Sequence, residues 1–229
     1  MKSQPASTAR QPSGALSQLQ LGFDTDTAGA DAGFESVSNL REAFSKVFGS
    51  SAGKADPATV IHIGWMDTPI GPLIAGSREG ALILLEFANR QRMESQIETL
   101  RKLFKAAFLP EDDAVIRQTR RELEEYFAGK RKDFEIPLDF PGTPFETKVW
   151  TQLLKIPYGE TRSYEELAEI TSSKGAVRAG GSANGRNRIA IVIPCHRVVN
   201  KSGALGGYGG GLWRKRTLLE LEQRSGRGR

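Results

Sequence analysis

The 229-residue sequence holds one cysteine, Cys195, and two histidines, His62 and His196. A single thiol excludes a disulfide within the chain and any multi-cysteine zinc site, and two imidazoles cannot build a His-rich metal site. No run approaches 18 uninterrupted apolar residues, so no segment reads as a membrane-spanning helix. The first 22 residues are polar and lack the apolar core of a secretory signal. The default setting is then reducing and cytoplasmic, with no metal and no membrane partner, and no other cofactor is expected. Apolar residues at 38% and charged residues at 26% leave enough for a packed core.

The net charge of +5 is unevenly spread. From Thr143 to Arg229 there are 15 Lys and Arg against 7 Asp and Glu, a net of +8, while the first 142 residues hold 17 against 20. A basic C-terminal half beside an acidic N-terminal half suggests a polyanionic partner; the plainer reading is a solvated basic surface.

Punctuation divides the chain into residues 1–32, polar and flexible in composition; 33–57, a short amphipathic helix and linker; 58–142; 143–223; and a basic tail, 224–229. In the second segment Leu40, Phe44, Val47 and Phe48 share one helical face. From Val60 to Asn89 short apolar runs separated by Asp67–Gly71 and Ser77–Gly80 predict a small antiparallel sheet. Helices follow over Met93–Phe108 and Val115–Phe127, then a strand-like Phe134–Leu138. Thr143-Pro144-Phe145-Glu146 and Ser163-Tyr164-Glu165-Glu166 are capping boxes that open helices. A third helical stretch, Ala176–Ala183, carries Arg178, and its small residues Ala176, Ala179, Gly180 and Gly181 allow close approach of a partner backbone. Together these elements resemble a helix-turn-helix. The apolar run Ile189–Ile193 reads as a buried strand stopped by Pro194. A last helix spans Leu212–Gln223.

Chemistry concentrates in Pro194-Cys195-His196-Arg197-Val198-Val199. A lone cysteine is most often an inert buried hydrophobe. Here a histidine adjoins it and Arg188 and Arg197 are near in sequence, and positive surroundings favour the nucleophilic thiolate. In a continued strand Cys195 and His196 would face opposite ways, so contact needs a turn after Pro194 or a bridging water. Downstream, Gly203–Gly211 forms a glycine-rich loop around Tyr208 that could wrap a planar ligand or serve as a plain connector. It lacks the Gly-Lys-Ser/Thr ending of a nucleotide phosphate loop. Glu222 alone would be taken for a solvated helix residue.

Ile193-Pro194-Cys195-His196-Arg197-Val198-Val199, with Tyr164, Arg178, Asn187, the Tyr208 loop and Glu222, closely resembles the O6-alkylguanine-DNA alkyltransferases over about Thr143–Glu222. Thr68-Pro69-Ile70-Gly71-Pro72-Leu73 carries a looser resemblance to the family's N-terminal domain. The resemblance implies an α+β fold: a ribonuclease H-like domain with a small antiparallel sheet, then a mostly helical, winged helix-turn-helix-like domain. It implies that Cys195 accepts the alkyl group once and irreversibly from O6-alkylguanine, and from O4-alkylthymine, in double-stranded DNA. His196 would act as base through a water and Glu222 would orient it. Tyr164 would rotate the nucleotide and protonate the leaving guanine, and Arg178 would replace the extruded base. Ala176, Ala179 and Gly181 would line the DNA, Asn187 would hold the hinge, and Ala190, Tyr208 and Gly209 would line the base pocket. Where some relatives carry proline, the smaller Ala190 implies room for adducts larger than methyl. The family suggests a monomer able to bind DNA cooperatively.

Ala32–Ser38, Arg41–Phe44 and Val47–Gly49 resemble the second helix-turn-helix of AraC-type regulators. The segment is too short for the usual two-motif domain, and the cysteines of the metal-binding sensor found in adaptive-response relatives are absent, so a remnant is expected. Three rivals stand beside DNA repair. Cys–His acyl transfer would need an oxyanion hole. A non-catalytic alkylation-damage recognition protein would lack the acceptor cysteine. A transcription factor would rest on residues 33–49 alone.

Overall fold

The computed structural model describes residues 60–89, 93–171 and 177–226. The tail and AraC-like segment expected over 1–57, Ala176 and the last three residues lie outside the described residues. The first strands are β1 (Val60–Met66), β2 (Leu73–Arg78) and β3 (Ala81–Phe87). They pair antiparallel, as the alternating runs predict. The β1–β2 connection closes with the Gly71 amide donating to Thr68 O at 3.0 Å, and Gly71 sits at φ +101°.

The segment after Asn89 departs from the expected helix over Met93–Phe108. Helix α1 ends at Phe104 (Met93–Phe104), Lys105 turns into the left-handed region at φ +48°, and Ala107–Pro110 becomes β4. β4 lies parallel to β1 and completes a sheet of order β3-β2-β1-β4. The apolar residues Ala106 and Phe108 are buried, which suits a strand edge as well as a helix face. Helix α2 (Ala114–Phe127) is N-capped by Asp113, whose carboxylate accepts from Ile116 N at 2.8 Å. Phe134–Leu138 is no strand: it makes only a single bridge, Leu138 to Leu82.

The sheet is covered on both faces. Ile61, Ile63, Trp65, Ile74 and Ile83 pack with α1 and Phe108. Leu73, Ala75, Leu82, Leu85 and Phe87 pack with α2 and with the segment that contains Cys195. Both capping boxes are complete: Thr143 opens α3 (Pro144–Leu153), and Ser163 opens α4 (Tyr164–Ile170). Helix α5 (Val177–Gly185) packs on α3 and α4, and the Trp150 indole donates to Ala183 O at 2.9 Å. Two short strands, β5 (Arg162–Ser163) and β6 (Val198–Val199), pair in parallel, and α6 (Leu212–Gly226) ends the described chain. No helix among the described residues is long and apolar enough to cross a membrane.

Candidate active site

The run Ile189–Ile193 is a buried turn, not the strand its composition predicts. Only Ile189 pairs, bridging to Leu85 of β3. The chain then doubles back, with Val192 N donating to Ala190 O at 2.8 Å and Ile193 N to Ile189 O at 3.0 Å. Ile191 takes φ +70°, a costly conformation for a β-branched residue. The run is apolar because the turn is buried, with Ile189, Ile191 and Ile193 all at 1% exposure or less.

Asn187 holds this turn. Its Oδ1 accepts from Ile189 N at 3.0 Å, and its Nδ2 lies 2.9 Å from Ile193 O, 3.3 Å from Ile189 O and 3.2 Å from Cys195 Sγ. Asn184 of α5 adds a bond to Cys195 O at 3.3 Å. Pro194 then leads into a 3-10 turn, Cys195–Arg197. The chain therefore turns after Pro194 instead of continuing as a strand. The thiol is buried at 7% exposure and His196 completely.

His196 Nε2 lies 2.8 Å from Glu222 Oε1. Glu222 also accepts from Tyr126 OH at 2.8 Å, Gly159 N at 3.1 Å, Arg197 Nε at 2.9 Å and Arg197 Nη2 at 3.0 Å. Burial raises the Glu222 carboxyl, but the His196 bond and the Arg197 fork outweigh it and hold its pKa at about 2. Burial also lowers the His196 pKa, against the pull of Glu222. The imidazole is therefore neutral at pH 7 with Nε2–H assigned to the carboxylate, which leaves Nδ1 as a lone-pair acceptor. Among the described residues Nδ1 has no hydrogen-bond partner. The arrangement can take a proton at Nδ1.

Tyr164 is fixed by the β5–β6 pairing directly before it. Its hydroxyl donates to Gly207 O at 3.2 Å, and burial together with Cys195 raises its pKa, so it stays protonated. Its ring lies 3.7 Å from where a Cβ would stand at Gly181, and 2.8 Å from one at Gly206, which has φ +64°. Glycine at 206 thus answers both a strained backbone and a close approach. Tyr208 packs edge-on against Phe87, with centroids 6.4 Å apart. Arg178 and Ala179 are exposed on α5, and Gly209 is exposed in the loop. Ala190 is buried, and its amide donates to Leu85 O at 2.7 Å, a bond proline could not make.

Two cations expected to face the thiol are engaged elsewhere. Arg197 grips Glu222 and donates to Ile156 O at 2.6 Å; Arg188 donates to Pro141 O at 2.6 Å and lies over Trp150. A cation that does interact electrostatically with Cys195 is Lys215. It is fully buried, bonds Val198 O and Gly207 O, and has its pKa lowered to about 8 by burial. Sequence reasoning missed Lys215 and Tyr126. The signal for the first was there: Lys215, Leu218, Leu219 and Glu222 share one face of α6, so that stripe is buried although half of it is charged. No group of three His, Cys, Asp or Glu among the described residues could hold a metal.

Comparison with known proteins agrees with this architecture. Residues 61–140 match the model of the 6-O-methylguanine DNA methyltransferase ribonuclease-like domain, and residues 144–224 match that of the same family's DNA binding domain. A methylated-DNA–protein-cysteine methyltransferase of Mycobacterium leprae is 48% identical over 164 residues, covering 72% of this chain and 93% of the relative. An inducible protein of that name from Bacillus subtilis is 44% identical over 133 residues, covering 58% and 74%. The crystal structure of Mycobacterium tuberculosis OGT in complex with DNA superposes with a TM-score of 0.62 at 42% identity, covering 72% and 94%.

Proposed function

The chain belongs to the O6-methylguanine DNA methyltransferase family, and from that membership we propose that Cys195 takes the alkyl group from O6-alkylguanine in duplex DNA. The protein acts in direct-reversal repair, as an enzyme that transfers the alkyl group to a cysteine. The observation that carries the residue assignments is the pair of contacts in one buried 3-10 turn, Asn187 on the Cys195 thiol and an ionised, buried Glu222 on His196.

The steps follow from that set. The Cys195 proton passes, through one water, to His196 Nδ1, and Glu222 stabilises the imidazolium that results. The thiolate attacks the alkyl carbon in line. The new S–C bond forms as the C–O6 bond breaks, and its electron pair moves into the guanine. Tyr164 gives its hydroxyl proton to the departing base and regains one from solvent, while the His196 imidazolium releases its proton to solvent, so the net change moves one proton from thiol to guanine. A thioether is not reversed by any group here, which makes the acceptor single-use. The target atom lies inside a duplex, so the nucleotide must rotate out at a cost of a few kcal/mol. Arg178, exposed on α5, fills the gap, and Ala179 and Gly181 give a close backbone approach in the minor groove. Tyr208, Gly209 and Ala190 bound the base pocket, and O4-alkylthymine is the second substrate. The family matches end and restart at 140 and 144, which supports a boundary at Gly142 between the two domains.

The test is intact-mass analysis after mixing with a duplex that carries one O6-methylguanine. The expected result is a single methyl on the Cys195 peptide, saturating at about one per protein and absent in Cys195→Ala. Tight binding without mass gain would instead mean a damage-recognition protein.

A further inference from the structure

Arg214 is a charged side chain with no role in the steps above, yet it is 4% exposed. It lies in the first turn of α6, where the helix dipole disfavours a cation. Among the described residues it makes no ion pair with a carboxylate. Instead Nε donates to Ile70 O at 2.7 Å and Nη1 to Gly210 O at 2.8 Å. Its guanidinium lies 4.3 Å from the centroid of the Phe87 ring and 4.7 Å from that of Trp213. A Cβ at Gly71 would come within 2.8 Å of Nη2. Burying a cation this way carries a desolvation cost that its hydrogen bonds and ring contacts must offset, which ties the guanidinium to those partners.

The pieces it joins are the β1–β2 turn, the end of β3 and the glycine-rich loop. Tyr208 belongs to that loop and packs on the same Phe87 ring. A Cβ at Gly210 would stand 2.6 Å from Phe87 and 2.9 Å from Tyr208, so the loop is seated tightly on β3. We infer that Arg214 is a specificity-determining positioning residue: it pins the Tyr208 wall of the base pocket to the Thr68–Gly71 turn and so limits the size of adduct the pocket accepts. This rests on the assignment of Tyr208 to the pocket wall. It also gives the Thr68-Pro69-Ile70-Gly71 motif a role, since the turn supplies the carbonyl against which the wall is set.

The experiment compares single-turnover transfer from duplexes bearing O6-methylguanine and O6-benzylguanine, using wild type, Arg214→Met and Gly71→Ala. Gly71→Ala displaces the guanidinium from the opposite side of the clamp, without touching the loop. A wall that is released should favour the larger adduct, so the benzyl-to-methyl rate ratio should rise about fivefold or more in both variants. Affinity for unmodified duplex should stay unchanged. A purely structural role would lower both rates together and leave the ratio at the wild-type value. A ratio unchanged or lowered in the variants that fold overturns the inference, and Arg214→Lys, which keeps the charge but not the fork, replaces any variant that does not fold. If wild type gains no methyl from the first duplex, it is the repair assignment that has failed, and the two failures are distinct.

Discussion

Glu222 accepts five hydrogen bonds from four residues, and its ionisation is built into the native state. Its folded pKa, about 2, lies below the ordinary 4.5, so its contribution to stability is complete above pH 4.5 and is lost as pH falls through 2. The size is on the order of 3 kcal/mol. His196 acts in the same direction. Its folded pKa is depressed by burial, so the unfolded chain binds that proton first and stability begins to fall below about pH 6.5. Urea unfolding at pH 7, 5 and 3 should show a progressive loss. Glu222→Gln should be less stable at pH 7, because it leaves the buried Arg197 without its counter-ion, yet lose less on acidification. A variant profile parallel to that of wild type would remove Glu222 as the titrating group. The residue itself was invisible to composition; only the resemblance singled it out, since a glutamate on a mixed helix is usually solvated.

At the scale of elements, the helix starts were the most legible features. Thr143 and Ser163 carry local chemistry that fixes them whatever packs around them, and both capping boxes form. Elements defined by burial were not. Ile189–Ile193 and Ala107–Pro110 are short apolar segments, for which periodicity cannot separate a strand, a helix end and a buried turn. What decides the first is Asn187, whose amide replaces the strand partners that the turn lacks. Asn187→Ala should therefore cost about 2–4 kcal/mol and slow transfer as well, because it releases both the turn and the thiol contact. Chemical denaturation and single-turnover rates measured on one preparation check this. Loss of stability with an unchanged rate would mean that the thiol contact is incidental.

Across the whole molecule, the acidic and basic halves read from the sequence are physically joined beside the proposed acceptor, Cys195. Tyr126 comes from α2, in the half that carries the sheet, and Glu222 comes from α6 at the other end of the chain. The same Glu222 holds His196 and Arg197, the neighbours of Cys195, while Asn187 touches the sulfur itself. A change at the sulfur is thus felt by the contacts that hold both halves together. Adding a methyl to a 7% exposed thiol crowds its buried neighbours, and overpacking of this kind costs about 1–3 kcal/mol. A thioether sulfur also accepts only weakly, so the Asn187 Nδ2 contact with Sγ is not strengthened as it would be by a thiolate, and the turn at 189–193 gains no restraint from the reaction. For a domain of this size each kcal/mol lowers the melting temperature by about 2–4 °C. Protein converted fully by a methylated duplex, then freed of DNA, should melt several degrees below the unreacted protein. Conversion by a benzylated duplex should lower it further, because the larger group must displace more of the packing. Calorimetry on the two forms decides the matter: equal melting temperatures would show that the site holds a free volume able to take the alkyl group, and that the thiol is not part of what keeps the two halves packed.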